Sequence, residues 1–283
     1  MRKRIEEQID HSKNPNSPEI CNSFDVVGNI AIIRSVIPNF DSDLKSAAKK
    51  ILDLNNGIKT VLVQNSKVSG EYRLRNLIHA EGENKTRTLH KEHGCVLSVD
   101  LEKCYFSPRL SGERLRIARL VRPHETVVNM FAGVGCFSIL IVKTVPTAKV
   151  YSIDINPDAI KYMKENIRLN RLYGKVVPLL GDSKSIIENE LPRSADRVLM
   201  PLPEKAFQYL PIALTALKTS GGWVHCYCFE HACKADDPRQ KARAELKKRL
   251  HNLGLNFDVP YARVVRPVGP NWYQIVLDLH VEC

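Results

Sequence analysis

The regular alternation of strand-like and helix-like segments after residue 107 is the feature that most constrains the fold. A helical pattern covers about 110 to 121, and short apolar runs then alternate with amphipathic stretches. The apolar runs are TVVNMF, KVYSIDI, KVVPLLG, RVLMPL and GWVHCYCF, followed by a helix at 237 to 253 and strands near 260 to 266 and 272 to 280. This order predicts an α/β fold with a doubly wound, mostly parallel sheet that helices cover on both faces.

The residues before this region have a different pattern. FDVVGNIAIIRSV predicts a hairpin that turns at Gly28 and Asn29, and DSDLKSAAKKILDL predicts a helix capped by Asp41 or Ser42. Further strands are predicted at KTVLVQ, YRLRNLIHA, KTRTLHKE and CVLSVDL. We therefore predict three regions, which are a charged segment at 1–19, a small α+β domain at 20–106 and the α/β domain at 107–283.

The stretch VVNMFAGVGCFS, residues 127–138, joins the first strand of the α/β domain to a helix through two glycines. In a doubly wound sheet, ligands bind beyond the carboxyl ends of the strands. Gly133 and Gly135 allow the backbone to approach a ligand closely, and the N–H groups at the start of the next helix face the same place. By itself the G-x-G pattern is equally compatible with a turn that only packs helix against strand.

Acidic residues after the next two strands favour a cofactor site. Asp154 ends KVYSIDI about twenty residues beyond the glycines, where a carboxylate accepts hydrogen bonds from an adenosine ribose. Asn156 and Pro157 supply a separate helix start, so Asp154 is not required as a cap. Asp182 in GDS follows the third strand and is expected near an adenine amino group. Because the full G-x-G-x-x-G pattern of NAD-binding proteins is missing, the set favours S-adenosylmethionine.

The fourth strand of the domain ends in MPLPEKA, where Pro201 and Pro203 flank Leu202. Proline lacks a backbone N–H, so this turn leaves carbonyl oxygens available to a planar base. A plain turn that ends the strand is an equally good interpretation of the residues alone.

Composition limits the partner and the compartment. The chain has 283 residues and a formal net charge of +11, which favours a polyanion such as nucleic acid as partner. It contains no apolar run long enough to span a membrane, and the first residues are charged throughout. We therefore expect a cytoplasmic protein that does not bind membranes.

The eight cysteines are scattered along the chain, which indicates reduced, largely buried thiols. Cys226, Cys228, His231 and Cys233 lie close together in sequence, but their spacing is not that of a zinc site and no second cysteine pair accompanies them. No metal site is predicted.

The motifs together resemble a known family. The runs YFSPRLSGERLRIARLV, VVNMFAGVGCFSI, YSIDINPDAIKYMKENIRLN, GDS and RVLMPLPEKA are similar, in order and spacing, to the archaeal and eukaryotic tRNA (guanine-N1)-methyltransferases. These enzymes act on guanine 37, immediately 3′ of the anticodon. The resemblance covers roughly residues 20 to 283.

The resemblance implies a Rossmann-like class I methyltransferase domain, S-adenosylmethionine as cofactor, and a preceding small domain that helps to hold the anticodon arm of tRNA. It also implies a monomer. The family often carries a further N-terminal domain that binds the outer corner of tRNA. Only a charge-rich segment of about twenty residues precedes the small domain here, so we expect this module to be missing and tRNA binding to depend less on tRNA shape.

Residue roles follow from the matching motifs. Glu113 in SGER matches the family's general base for the guanine N1 proton, although a glutamate there also suits a helix start. Arg73 matches an arginine that stabilises charge on guanine O6, and Tyr105 matches a tyrosine near the methyl donor. The residues expected at the cofactor are Arg114, Phe131, Ala132, Gly133, Val134, Gly135, Asp154, Ile155, Asp182, Ser183, Pro201, Leu202 and Pro203.

The sequence departs from the family pattern at two positions. Asn129 stands where Asp is common, and Pro201 stands where Asn usually precedes Leu-Pro. The loss of that Asn side chain removes a hydrogen bond to the base or the cofactor, so recognition is expected to depend more on backbone carbonyls.

Three alternatives remain open at this stage. The same fold and cofactor transfer an aminocarboxypropyl group in wyosine synthesis, and a related enzyme type methylates a tricyclic wyosine intermediate. A non-catalytic tRNA-binding protein is the third. The helix PRQKARAELKKRLHN is interpreted as a solvated face, with Ala242, Leu246, Leu250 and Leu253 forming its apolar stripe.

Overall fold

A computed structural model describes residues 2–4, 23–34, 42–251 and 255–282. Most of the charged segment 1–19 lies outside these residues, as do Asp41, Leu253, Cys21 and Cys283. The chain forms two compact units, Met1–Ser111 and Gly112–Cys283. The boundary predicted after residue 106 lies a few residues before this division.

The first unit contains a five-stranded sheet and a separate hairpin. The sheet has the order β1-β2-β3-β4-β5, and β3 and β4 form its only parallel pair among the described residues. Its elements are β1 (Arg2–Arg4), β2 (Ser23–Val27), β3 (Ile30–Arg34), α1 (Ser42–Leu54), β4 (Thr60–Gln64) and β5 (Leu77–Gly82). The hairpin consists of β6 (Arg87–Glu92) and β7 (Cys95–Asp100). The predicted hairpin at Gly28 and Asn29 is present as β2 and β3.

Helix α1 packs on this sheet because its apolar residues recur at helical spacing. Leu44, Ala48 and Ile51 are buried against Ile33 and Val61 of the strands. One strand prediction was wrong. The run 72–80 was predicted to be a strand throughout, but its first two residues belong to a turn, Leu74 forms only an isolated bridge with Ser69, and β5 starts at Leu77. The reason is the left-handed backbone at Gly70 and Arg73, with φ of 73° and 55°, which interrupts an extended chain.

The second unit is the predicted doubly wound α/β domain. Its seven-stranded sheet has the order β10-β9-β8-β11-β12-β14-β13. The first five strands in this order are parallel, and the terminal hairpin pairs antiparallel. The strands are β8 (Thr126–Asn129), β9 (Lys149–Asp154), β10 (Val176–Leu180), β11 (Arg197–Met200), β12 (Gly222–His231), β13 (Asn256–Gly269) and β14 (Trp272–Glu282).

In the described part of the chain from Ser111 onward, six α-helices accompany the sheet. They are α2 (Ser111–Leu120), α3 (Cys136–Thr144), α4 (Pro157–Asn170), α5 (Ser183–Glu190), α6 (Ala206–Ala216) and α7 (Pro238–His251). Ala242, Leu246 and Leu250 form the predicted apolar stripe of α7 and are fully buried against β12, β13 and β14. None of the helices within the described residues has the length and apolar character needed to span a bilayer.

Candidate functional site

The loop between β8 and α3 lies at the carboxyl end of the central strands. The Ala132 N–H donates to the Ile153 carbonyl over 2.8 Å, which holds the loop beside the end of β9. Gly133 and Gly135 both have left-handed backbones, with φ of 56° and 87°. Gly135 is the N-cap residue that immediately precedes α3, and as a glycine it has no side chain to cap the helix. The N-terminus of α3 therefore faces the end of the strands, where the N–H groups of a helix start favour a ligand with negative charge.

Gly135 is required for steric reasons as well as for its backbone angle. A Cβ atom at this position would lie 2.7 Å from the Cγ atom of Met163 on α4. The loop and α4 can therefore pack closely only if residue 135 is glycine. Both glycines predicted from the motif serve the geometry of this loop.

Asp154 connects the loop to the end of β9. Its Oδ2 accepts from the Gly133 N–H at 2.6 Å, and its Oδ1 accepts from the Asn156 N–H at 2.9 Å. Burial raises the pKa of Asp154 above its ordinary value, and the N–H groups of Asn156 and Gly133 partly offset this rise. Each carboxylate oxygen retains a further lone pair for a ligand hydroxyl. Asn156 caps α4 with its own side chain, as predicted.

Asp182 has a structural role that the sequence reasoning missed. Its Oδ2 caps α5 by accepting from the N–H groups of Lys184 and Ser185, and its Oδ1 accepts from the Tyr209 hydroxyl at 2.7 Å. The Tyr209 ring contacts Phe131 edge to face, with centroids 5.3 Å apart. Aromatic rings and a carboxylate thus meet next to the loop, which suits a flat heterocycle with an amino group.

The other predicted cofactor residues surround the same loop or the neighbouring strand end. Ser183 is buried and donates its hydroxyl to the Met130 carbonyl, so it anchors α5 to the loop. Val134 is buried, whereas Ile155 is exposed. After β11, Pro201 and Leu202 are partly exposed.

The Pro-Leu-Pro turn offers fewer carbonyl acceptors than the sequence suggested. Pro203 is buried, and the Leu202 carbonyl already accepts from the Lys205 N–H at 3.2 Å. The Pro201 carbonyl is therefore the better candidate for contact with a base.

Hydrogen bonds from buried polar side chains stabilise the loop and the residues next to it. Asn166 of α4 donates to the Val134 carbonyl at 3.0 Å. The Asn129 amide donates to the Ser138 hydroxyl, which also accepts from Ser152. The Oδ1 atom of Asn129 is buried and has no hydrogen-bond partner among the described residues. An acceptor thus stands at the end of β8, at one of the two positions where the sequence departs from the pattern that it resembles.

Glu113 lies on the first turn of α2, in a buried cluster of hydrogen bonds. Its side chain is 3% exposed. Arg116 donates from Nε to both carboxylate oxygens at 3.0 Å and from Nη2 to Oε1 at 2.7 Å. The Tyr227 hydroxyl also donates to Oε1, at 2.7 Å. Oε1 therefore accepts three hydrogen bonds, and Oε2 accepts only the shared one from Nε. Oε2 is the oxygen with spare capacity to accept a proton.

The cluster continues from Arg116 across the sheet. Arg116 also holds Asp278 of β14 through Nη1 to Oδ2 at 2.6 Å and Nη2 to Oδ1 at 3.1 Å. Asp278 Oδ1 lies 2.6 Å from His225 Nδ1, and His225 Nε2 lies 2.6 Å from Arg197 Nη1. Arg197 in turn forms a two-pronged ion pair with Glu125. These residues form one chain of charged and polar groups, which we call the buried charge relay.

The relay fixes the protonation state of its histidine. A guanidinium can only donate, so His225 Nε2 must accept from Arg197, and the proton must lie on Nδ1 and point to Asp278. Burial lowers the pKa of His225, and the charges of Arg197 and Arg116 lower it further, against the opposing effect of Asp278. His225 is therefore neutral.

Asp278 within the relay and Tyr227 beside it also have shifted pKa values. Burial alone would raise the pKa of Asp278, but hydrogen bonds from His225 and Arg116 and the guanidinium charge outweigh it and hold the pKa at about 2. Burial and the nearby Glu113 carboxylate raise the pKa of Tyr227 well above its ordinary value. Tyr227 therefore remains a neutral donor to Glu113.

The remaining predicted residues have simpler surroundings. Arg114, next to Glu113, is buried. Arg73 and Tyr105 belong to the first unit, where the Arg73 guanidinium lies 4.5 Å from the centre of the Tyr105 ring and Arg75 lies 5.6 Å from it. The cation–π contact between Arg73 and Tyr105 was not anticipated from the sequence.

The cysteines do not form a metal site within the described ranges. No group of three or more potential metal-binding side chains is found there. The six described cysteines are free thiols, and burial raises the pKa values of Cys226 and Cys228.

Comparison with known proteins identifies the family. Residues 88–253 match the model of the TRM5/TYW2 methyltransferase domain. The chain belongs to this family. The chain is 40% identical over 287 residues to the tRNA (guanine(37)-N(1))-methyltransferase Trm5b of Pyrococcus abyssi, an alignment that covers 96% of the chain and 82% of the relative.

Two further similar proteins bear on function. The chain is 36% identical to the tRNA 4-demethylwyosine(37)-methyltransferase Taw21 of Saccharolobus solfataricus, over 98% of the chain and 97% of that protein. It also superposes on a solved complex of aTrm5 and tRNALeu with a TM-score of 0.80 and 37% identity, covering 93% of the chain and 73% of that structure. The predicted family and α/β fold class are confirmed.

Proposed function

We propose that the protein transfers the methyl group of S-adenosylmethionine to N1 of guanine 37 in tRNA. The proposal is supported by the family, by the 40% identity to a tRNA (guanine(37)-N(1))-methyltransferase, and by the related structure with bound tRNA. The single observation that carries the chemistry is the buried Glu113 carboxylate, whose Oε2 retains capacity to accept a proton.

The loop and its neighbours fit the proposed cofactor. Asp154 would hold the ribose hydroxyls, Phe131 and Tyr209 would contact the adenine ring, and Asp182 would accept from its amino group. The unpartnered Asn129 Oδ1 would accept from the ammonium group of the amino-acid portion. When bound, S-adenosylmethionine supplies an electrophilic methyl group.

Glu113 would act as the general base. The guanine N1–H proton passes to Oε2 of Glu113 while the N1 lone pair forms the new bond to the methyl carbon and the old bond from that carbon to sulfur breaks. Tyr227 and Arg116 keep the carboxylate in one orientation. By the family resemblance, Arg73 stabilises the charge that develops on guanine O6, and Tyr105 lies near the methyl donor.

The binding partner is proposed to be the anticodon arm of tRNA, and the protein is proposed to act as a monomer in the cytoplasm. The net charge of +11 supports the first part, because cations that neutralise phosphates release counterions. Sedimentation of the purified protein with and without tRNA tests whether it acts as a monomer.

Incorporation of label from S-adenosylmethionine tests the reaction directly. Two transcripts of one tRNA, with G or A at position 37, are incubated with the wild-type protein and with Glu113→Gln. We expect label only in the G37 transcript with the wild-type protein, and 1-methylguanosine after nuclease digestion and mass spectrometry. Equal labelling of both transcripts, or none, would contradict the proposal.

A second candidate substrate is 4-demethylwyosine at the same position. The observation that favours it is the alignment over 97% of Taw21, whose name assigns this reaction. A tRNA that already carries 4-demethylwyosine separates the possibilities, because methyl and aminocarboxypropyl groups add different masses. Cofactor binding by calorimetry without product from either tRNA would instead indicate the non-catalytic alternative.

A further inference from the structure

Strands β12, β14 and β13 form one edge of the sheet in the second unit. One face of these three strands extends from Glu113 to the exposed Trp272. Side chains alternate between the two faces of a strand, so the pairing register identifies which residues share a face. Cys226, Ile275, Leu277 and Val264 point to the side covered by α6 and α7. The opposite face carries His225, Tyr227, Phe229 and His231 of β12, Asp278, Val276, Gln274 and Trp272 of β14, and Tyr261, Arg263 and Arg266 of β13.

Glu113 lies over the lower part of this second face. It accepts from Tyr227, and its Oε2 lies 3.9 Å from Nη1 of Arg263, whose side chain is 51% exposed. Arg116 packs over the Tyr261 ring in the same region, 4.8 Å from its centre. The oxygen assigned as proton acceptor is therefore next to an arginine that reaches solvent.

The upper part of the face leads to the carboxyl end of β12. Arg266 donates from Nε to Gln274 Oε1 at 2.8 Å, which orients its guanidinium across the strands. Trp272 is 47% exposed, and its ring lies 5.3 Å from that of His231. Trp272 lies four residues before Val276, which pairs with Arg263, so the face extends for about 13 Å along β14.

We propose that Arg263, Arg266 and Trp272 form a binding track for the single-stranded RNA that flanks the target base. The arginines contact backbone phosphates, and Trp272 stacks on a neighbouring unpaired base. Sequence-tolerant binding of unpaired nucleotides uses this combination of cations along a backbone and aromatic rings for the bases. The assignment rests on the proposed function, since it starts from Glu113 as the position of the target guanine.

The charges of the track favour RNA over a protein segment as the occupant. An exposed tryptophan alone is equally suited to a protein contact, but the two arginines beside it match a polyanion. The net charge of +11 agrees in sign. An anticodon stem-loop is the matching ligand, because its loop presents unpaired bases on both sides of the target.

The fluorescence of Trp272 provides a readout that does not need turnover. The chain has two tryptophans, and Trp223 lies at the opposite end of β12. In a Trp223→Phe background the emission reports Trp272 alone. We expect an anticodon stem-loop RNA to quench this emission, and a duplex RNA of equal length to quench it much less.

Affinity measurements on variants complete the test. Trp272→Ala is expected to weaken binding of the stem-loop about 10-fold, the order of one lost base stack, and Trp272→Phe to restore most of it. Arg266→Gln should lower the affinity. It should also reduce the magnitude of the slope of log K against log salt by about 1, the amount expected for one lost phosphate contact. The matched control is the double variant Lys247→Gln and Lys248→Gln on the exposed face of α7. It should change the affinity less than two-fold, which is well below the effect of losing one base stack.

The outcomes separate this proposal from the proposed function. Unquenched Trp272 emission together with unchanged affinity of Trp272→Ala and Arg266→Gln would overturn the track. Quenching by RNA without 1-methylguanosine formation would leave the track in place and contradict the reaction. Calorimetry with S-adenosylmethionine shows that each variant is folded.

Discussion

At the scale of single residues, the state of Glu113 is determined by two donors that the sequence does not reveal. Arg116 is one turn further along α2, and Tyr227 comes from a strand more than a hundred residues away. Together they give Oε1 three hydrogen bonds and Oε2 only one, which leaves Oε2 with the greater capacity to accept a proton. The carboxylate is thus held in a fixed position and shielded from water, as a positioned general base requires.

Glu113→Gln should remove the proton acceptor while preserving the size of the side chain. We expect the rate of methyl transfer to fall about 10²- to 10⁴-fold, the usual contribution of a general base, with cofactor affinity unchanged. Single-turnover kinetics with saturating tRNA measure this. Glu245→Gln on the surface of α7 is the control, and a rate within a few-fold of wild type for Glu113→Gln would show that another group takes the proton.

Arg116→Met should destabilise the protein strongly. The change leaves Glu113 and Asp278 buried without their shared cation, and an unpaired buried charge costs about 3–5 kcal/mol. Urea unfolding of the two proteins gives the difference in free energy of unfolding. Arg249→Met, which removes an exposed pair with Glu245, should cost less than about 1 kcal/mol. Equal losses in the two variants would argue against the buried pairs.

At the scale of elements, the turn from β8 into α3 decides whether a ligand can reach the helix start. Its two left-handed glycines, its bond to Asp154 and the buried Asn166 together hold the backbone in one conformation. A short strand followed by an apolar helix, as in β8 and α3, is common in α/β proteins and does not by itself indicate a binding site. The proposed cofactor site depends on the conformation of the loop between them.

Gly135→Ala should damage the loop through both strain and collision. The added methyl must adopt φ near 87° and would approach Met163 to 2.7 Å, so we expect a loss of about 1–3 kcal/mol in stability and weaker cofactor binding. Gly174→Ala is the matched control, because Gly174 has φ of 72° but nothing within 4 Å of an added Cβ. Thermal unfolding and calorimetry compare the variants. Equal stability and equal cofactor affinity in the two would contradict the close packing.

At the scale of the whole molecule, the buried charge relay links α2 to three strands of the sheet. It includes ion pairs between residues 162 positions apart, so it forms only when the domain is folded. His225, at its centre, is neutral in the folded state and protonates freely in the unfolded chain. The unfolded state therefore binds more protons below the unperturbed pKa of about 6.5.

Stability should consequently fall as the pH drops below about 6.5, by up to about 1.4 kcal/mol per pH unit from His225 alone. His225→Gln should reduce this slope, since glutamine can accept from Arg197 and donate to Asp278 but does not titrate. Unfolding free energies at pH 7, 6 and 5 test this. His251→Gln, at an exposed position, controls for the general effect of removing a histidine. If His225→Gln left the slope of unfolding free energy against pH unchanged, His225 would not be neutral in the folded state.

What the sequence determined was mostly local or periodic. The alternation of apolar runs and amphipathic stretches predicted the doubly wound sheet, because strand and helix periods are properties of neighbouring residues. The glycine loop, the Asn156 cap and the ordered motifs likewise lie within short segments. Left-handed residues such as Arg73 were missed, since an ordinary side chain gives no sign of a turn.

The tertiary structure alone decided which charges meet. Arg116, Asp278, His225 and Arg197 have no local pattern that distinguishes them from solvated residues, and their partners are fixed only by strand register and helix placement. The same holds for the hydrogen bond from Tyr209 to Asp182, whereas the cap that Asp182 forms on α5 is local. Short-range periodicity thus determined the fold and the place of the site, whereas long-range packing determined which side-chain atoms remain free to do chemistry there.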